Sequence, residues 1–180
     1  PALGQNATNA EEFAQIVACA RHHRQEFGIG PGYNVVVFPS GRRWAVGKHG
    51  TQRAHTAGRE PASREPWNVV GRSIAVAGNY ETEPVSRMLG IAIRRAVEEV
   101  QGWPGVVPGA AIYEHGLIPT VNSAGVLYSQ GTACPGRNIA AWRASGGLTI
   151  QGNESYQPDR YGEGYRQGYK TGHGAGLKFA

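Results

Sequence analysis

The chain has 180 residues, 40% of them apolar, with 27 Gly and 11 Pro, which suits one domain with a sizeable core and many loops. Its apolar runs fall far short of the ~20 residues that a membrane-spanning helix needs, so membrane insertion is not expected. A net charge of +5 and a pI near 9.5 point to an anionic partner such as nucleic acid, a teichoic-acid-bearing wall or a membrane surface, and the lack of any Lys/Arg run longer than two argues against a nucleic-acid arm.

Residues 8–27 read as a helix. Thr8 and Glu11 have capping-box spacing, Phe13, Ile16, Val17 and Ala20 form an apolar stripe, and Gly28 is a stop signal. Residues 33–38 are β-branched and aromatic and predict a buried strand. Pro39-Ser40-Gly41 makes a turn, and residues 43–46 return as a hairpin arm. Residues 47–71, rich in Gly, Arg, His and Pro, read as a long irregular loop. A short strand is expected over 72–78. A second helix is expected from Pro84 to about Val100, with Met88, Ile91, Ala92, Ala96 and Val100 on its inner side. A strand over 110–114 would end at Glu114-His115, and residues 137–144 predict a last short helix. This order gives a mixed α/β domain, a central β-sheet flanked by helices. It covers residues 1–148. Residues 149–180 form a Tyr/Gly-rich extension with almost no aliphatic residues, read as extended or draped on the surface.

Two cysteines make no disulfide framework. Cys19 lies in the first helix. Cys134 sits in Gly131-Thr132-Ala133-Cys134-Pro135-Gly136, where glycines free the backbone and proline stiffens the position after the thiol. A metal ligand or nucleophile is expected there more than a packing residue. Zinc takes Cys thiolate and His nitrogen, and a catalytic site takes three protein ligands and one open position. His115, at the end of a predicted strand, is the second candidate ligand. His22, His23 and His173 are expected to be solvated. His49 and His55 lie in the long loop, where simple exposure is the commoner expectation and a place for Ala54-His55-Thr56-Ala57-Gly58 lining a cleft is the alternative.

Five segments in order carry a resemblance. They are Ile29-Gly30-Pro31-Gly32-Tyr33-Asn34, Phe38-Pro39-Ser40-Gly41-Arg42, Ala54-His55-Thr56-Ala57-Gly58, Ser73-Ile74-Ala75-Val76-Ala77-Gly78-Asn79-Tyr80 and Thr132-Ala133-Cys134-Pro135-Gly136. Together, over residues 8–144, the chain resembles the zinc-dependent N-acetylmuramoyl-L-alanine amidases of the phage-lysozyme and peptidoglycan-recognition-protein type. The resemblance implies an amidase-like fold and Zn2+ bound by His115 and Cys134. It implies that Tyr33 and Thr132 stabilise the developing oxyanion, and that His55 and Asn34 contact substrate. It also implies peptidoglycan as partner, and a phage-encoded enzyme that acts on the bacterial wall as an endolysin or virion-associated lysin. The family's first His ligand comes from a strand before the first helix, whereas this chain has no His before His22. That strand is expected from a removed segment or another chain, or the ligand is gone. The alternative functions are an inactive peptidoglycan-binding or phage structural subunit, and, without a matching motif, a nucleic-acid-associated protein.

Overall fold

A computed structural model describes residues 3–47, 51–128 and 130–149. Helix α1 spans Asn9–Phe27 and the expected capping box is formed. Thr8 Oγ1 accepts the Glu11 amide at 3.3 Å, and the Glu11 carboxylate accepts the Thr8 N–H at 2.7 Å. Gly28 (φ 72°) closes the helix with its N–H on the Arg24 carbonyl at 3.1 Å, in the left-handed conformation that glycine adopts without strain.

The apolar stripe of α1 is only half-buried, and its two buried residues are Glu12 and His23. Glu12 is 0% exposed. Its carboxylate accepts the Ser40 hydroxyl at 2.5 Å, the Arg42 guanidinium at 2.8 and 2.9 Å, and the Trp44 indole N–H at 2.7 Å. Arg42 also donates to the Ala7 carbonyl. With Phe13 packed near Trp44 (ring centroids 6.2 Å apart), this hub fastens α1 to the hairpin. Charge and hydrogen bonding anchor the helix where the stripe predicted apolar burial.

Strand β1 (Val35–Val37) pairs antiparallel with β2 (Arg43–Ala45) and parallel with β3 (Ile74–Val76), giving a mixed sheet of order β2-β1-β3. Val36 stands opposite Trp44 on one side and Ala75 on the other. Val35 and Val37 alternate into the core, where helix α3 (Arg87–Gln101) packs against β1 and β3. The helix begins after Ser86, whose hydroxyl accepts the Leu89 amide at 3.2 Å. A hydroxyl cap, and not Pro84, sets its start. The start shifts the buried face to Leu89, Ala92, Ile93, Ala96 and Val100, and leaves Met88 45% exposed. Tyr80, Trp103 and Ile139 complete the core, with Trp142 and Leu148 packed against it. Helix α4 (Arg137–Ala144) falls where the sequence placed it.

Two regions depart from expectation. The long loop holds a short helix, α2 (Trp67–Val70), pinned because the buried Trp67 donates its indole N–H to the Pro119 carbonyl at 2.9 Å. Residues 110–114 do not form a strand. The Arg143 guanidinium from α4 takes the Ile112 carbonyl at 2.7 Å and the Glu114 carboxylate at 2.9 Å, so a side chain fills the acceptor that a neighbouring strand would have filled. His115 therefore opens a 3-10 turn, His115–Leu117, and does not end a strand. A small hairpin follows, β4 (Thr120–Val121) with β5 (Leu127–Tyr128). Its turn is held by the Asn122 carboxamide, which accepts the Ala124 and Val126 amides at 2.9 and 3.0 Å. Among the described residues no helix is long and apolar enough to cross a membrane. His49, His173 and the extension from residue 150 lie outside the described residues.

Candidate functional site

The 3-10 turn of His115 is clasped to the loop of Thr132 and Cys134. The Gly116 N–H donates to the Cys134 carbonyl at 3.0 Å. A Cβ at Gly116 would lie 2.5 Å from the Thr132 carbonyl oxygen and 3.2 Å from that of Cys134, so only glycine permits this approach. Gly116 and Cys134, 18 residues apart in sequence, are thereby brought together at their backbones. Thr132 Oγ1 accepts the Cys134 amide at 3.2 Å, which leaves the hydroxyl proton free to be donated. Thr132 and Cys134 are exposed and His115 is half-buried.

Electrostatics ties two more groups to this clasp. Burial pushes the Tyr33 phenol above its usual pKa, and the Cys19 and Cys134 thiols act in the same direction. Tyr33 therefore stays protonated at neutral pH and can donate. Desolvation by the surrounding loop raises the Cys134 thiol, exposed as the residue is on the whole, and burial lowers the His115 imidazole. His55 is lowered to about 4, first by burial and then by His115 and Arg72, with the Gly71 backbone opposing. Neutral imidazole is the ligating form, whereas a thiol must lose its proton to bind a metal.

The backbone around His55 is set by α2. The Asn68 carboxamide oxygen accepts the His55 and Thr56 amides at 2.8 and 2.9 Å. Nδ1 of His55 lies 2.9 Å from Thr56 Oγ1, while its Nε2 is buried with no aligned hydrogen-bond partner. Asn68 is a positioning residue that sequence reasoning missed, because no local signal marks a carboxamide that reaches back thirteen residues. Asn34, expected to touch substrate, is 0% exposed. Its side-chain oxygen accepts the Ser73 amide at 3.0 Å and hydroxyl at 3.3 Å. The structure thus places it as a link between β1 and the segment entering β3. His22 is exposed as expected, but His23 is buried.

As donors, His115 and Cys134 suit zinc: a neutral imidazole and a thiol on segments fixed to each other. Among the described residues no group of three or more His, Cys, Asp or Glu is placed to hold a metal ion.

No family model matches the chain, and no curated protein matches it in sequence. Solved structures do. Bumblebee PGRP-SA superimposes with a TM-score of 0.52 at 18% identity, over 76% of this chain and 71% of that one. Wild-type Drosophila PGRP-LB superimposes with a TM-score of 0.57 at 17% identity, over 86% of this chain and 79% of that one. At such identities the likeness shows the fold: a mixed sheet with flanking helices, of the peptidoglycan-recognition-protein, amidase-like kind.

Proposed function

We propose that this chain acts on peptidoglycan as an N-acetylmuramoyl-L-alanine amidase, with zinc held by His115, Cys134 and a third ligand from outside the described residues. The observation that carries this reading is the clasp between Gly116 and Cys134, which fixes the backbone of the His115 turn to that of the Cys134 loop, with Tyr33 close enough to the Cys134 thiol to be shifted by it. Zinc bound there would supply a water acidified to a pKa of ~7 and would polarise the amide carbonyl.

The chain's own residues do the rest. Tyr33, kept protonated by burial, donates to the oxygen that gains charge as the amide carbon becomes tetrahedral. Thr132 donates its hydroxyl to the same oxygen. Such donors are worth ~3–4 kcal/mol each when preorganised. His55, neutral at physiological pH, lines the cleft. The exposure of Thr132 and Cys134 suits a polymer substrate that cannot be engulfed. The net positive charge favours approach to an anionic wall and makes it salt-sensitive. A phage-type lysin, virion-bound or released at lysis, is the setting proposed with this activity. The third ligand is proposed to come from this chain's residues outside the described ones, where His49 and His173 lie.

The second reading is a peptidoglycan-binding or structural subunit of the same fold without hydrolysis. That no group of three or more possible ligands is found among the described residues favours it. Elemental analysis of this chain and of Cys134→Ser separates the two, combined with assay of new amino termini released from purified sacculi. About one zinc per chain, lost in Cys134→Ser together with amine release, supports the amidase. Sacculus binding without zinc or amine release supports the binder and refutes the amidase.

A further inference from the structure

The buried histidine of α1 has no part in the reading above, yet it touches the site from behind. His23 is 8% exposed. Its Nδ1 accepts the Gly32 N–H at 2.8 Å, so that nitrogen carries no proton and the neutral ring holds its hydrogen on Nε2. Nε2 lies 3.8 Å from Cys19 Sγ, one helical turn before. Phe27, one turn after, packs at a centroid distance of 5.7 Å. The ring is thus braced from both neighbouring turns of its own helix.

On its other side His23 meets Tyr33 edge-on, with centroids 5.2 Å apart and an interplanar angle of 67°, the geometry that aromatic rings prefer. Gly32 is pinched between two elements. A Cβ there would lie 2.5 Å from His23 Nδ1 and 2.8 Å from the Ala54 carbonyl oxygen. One imidazole therefore fixes the backbone immediately before Tyr33 and the orientation of the Tyr33 ring.

We infer that His23 is a positioning residue for the reaction: its Gly32 hydrogen bond and ring contact hold the Tyr33 hydroxyl near Cys134. The inference rests on the amidase reading for its rate consequence and on geometry alone for its structural one. A packing residue of similar size would fill the same space but accept no hydrogen bond. Gly32 would then keep a buried N–H without a partner, and the loop would be free to drift. Drift of about 1 Å at a reacting group costs up to ~100-fold in rate.

Two variants of the whole chain carry the test. His23→Leu fills the volume without an acceptor, and His23→Asn offers a carbonyl oxygen near the place of Nδ1. We would measure amide hydrogen exchange by NMR at Gly32 and Tyr33, with α3 amides as the folding control, and kcat and KM on a soluble muropeptide. In His23→Leu, exchange at Gly32 should rise at least about tenfold with α3 unchanged. The value of kcat should fall about ten- to a hundredfold, with KM within about twofold. His23→Asn should recover to within about threefold of wild type in both readouts. Unchanged Gly32 exchange in His23→Leu overturns the inference. So does equal loss in both variants with exchange raised across α3, which would mark a residue that merely stabilises the fold. If the wild type hydrolyses nothing, the amidase reading fails by itself. Gly32 exchange and the Tyr33 ring resonances, displaced in His23→Leu and restored in His23→Asn, then still decide whether His23 positions Tyr33.

Discussion

Replacing Gly116 by alanine tests the clasp directly. The new Cβ would lie 2.5 Å from the Thr132 carbonyl oxygen, whereas ordinary contact begins near 3.4 Å. About 0.9 Å must be found, and both neighbouring atoms are backbone, so no rotamer change relieves the overlap. Gly116 is not among the residues with positive φ, so the strain comes from this collision and not from its own conformation. Overpacking of this size costs ~1–3 kcal/mol, a fall in Tm of roughly 2–12 °C for a domain of this length. The retreat of the Thr132–Cys134 loop separates its donors from His115 by about 1 Å, enough to cut kcat/KM ~100-fold. Thermal melts, a zinc titration against a competing chelator and amine release from sacculi would be run on the same preparation. The expected pattern is a folded protein, slightly less stable, with activity and zinc affinity reduced far more than stability. A Gly116→Ala protein with wild-type zinc affinity and rate would refute the claim that this close approach builds the site.

Three further outcomes are expected. Glu12→Leu leaves Ser40, Arg42 and Trp44 without their shared acceptor. Breaking a buried pair this way costs ~3–5 kcal/mol, so urea melts should show a lower midpoint at similar slope, and a loss below ~1 kcal/mol would contradict the hub. His55 has a folded pKa of about 4 against 6.5 unfolded, so the unfolded chain binds its proton more readily. Its contribution to stability is complete above pH 6.5 and is lost as pH falls from 6.5 toward 4. Melts over that range should flatten in His55→Gln, and an unchanged slope would count against burial of a neutral ring. His23 and His115 shift in the same direction and should leave a residual slope. Arg143→Met frees the Ile112 carbonyl and Glu114 carboxylate just before His115. Zinc affinity should drop ~10-fold with α3 intact by hydrogen exchange, and an unaltered affinity would show that His115 needs no such support.

The sequence alone determined the elements whose causes are local. Thr8 with Glu11 and the stop at Gly28 bound α1, because caps act within one turn. The Val-rich run at β1 and the Pro-Ser-Gly turn made the hairpin, since strand and turn preferences are short-range. Cys134 stood out because its own neighbours, glycine and proline, shape its loop. Tertiary structure decided what depends on distant partners. A burial stripe cannot reveal that Glu12 is buried, since its partners lie about thirty residues away in the hairpin. His115 left its expected strand because Arg143 from α4 took the acceptor. His55 owes its place to Asn68, and Asn34 was drawn inside by Ser73, just before the neighbouring strand. The approach of the His115 turn to the Cys134 loop, and of His23 to the Tyr33 loop, depends on Gly116 and Gly32, whose lack of a side chain matters only once another backbone or ring arrives beside them.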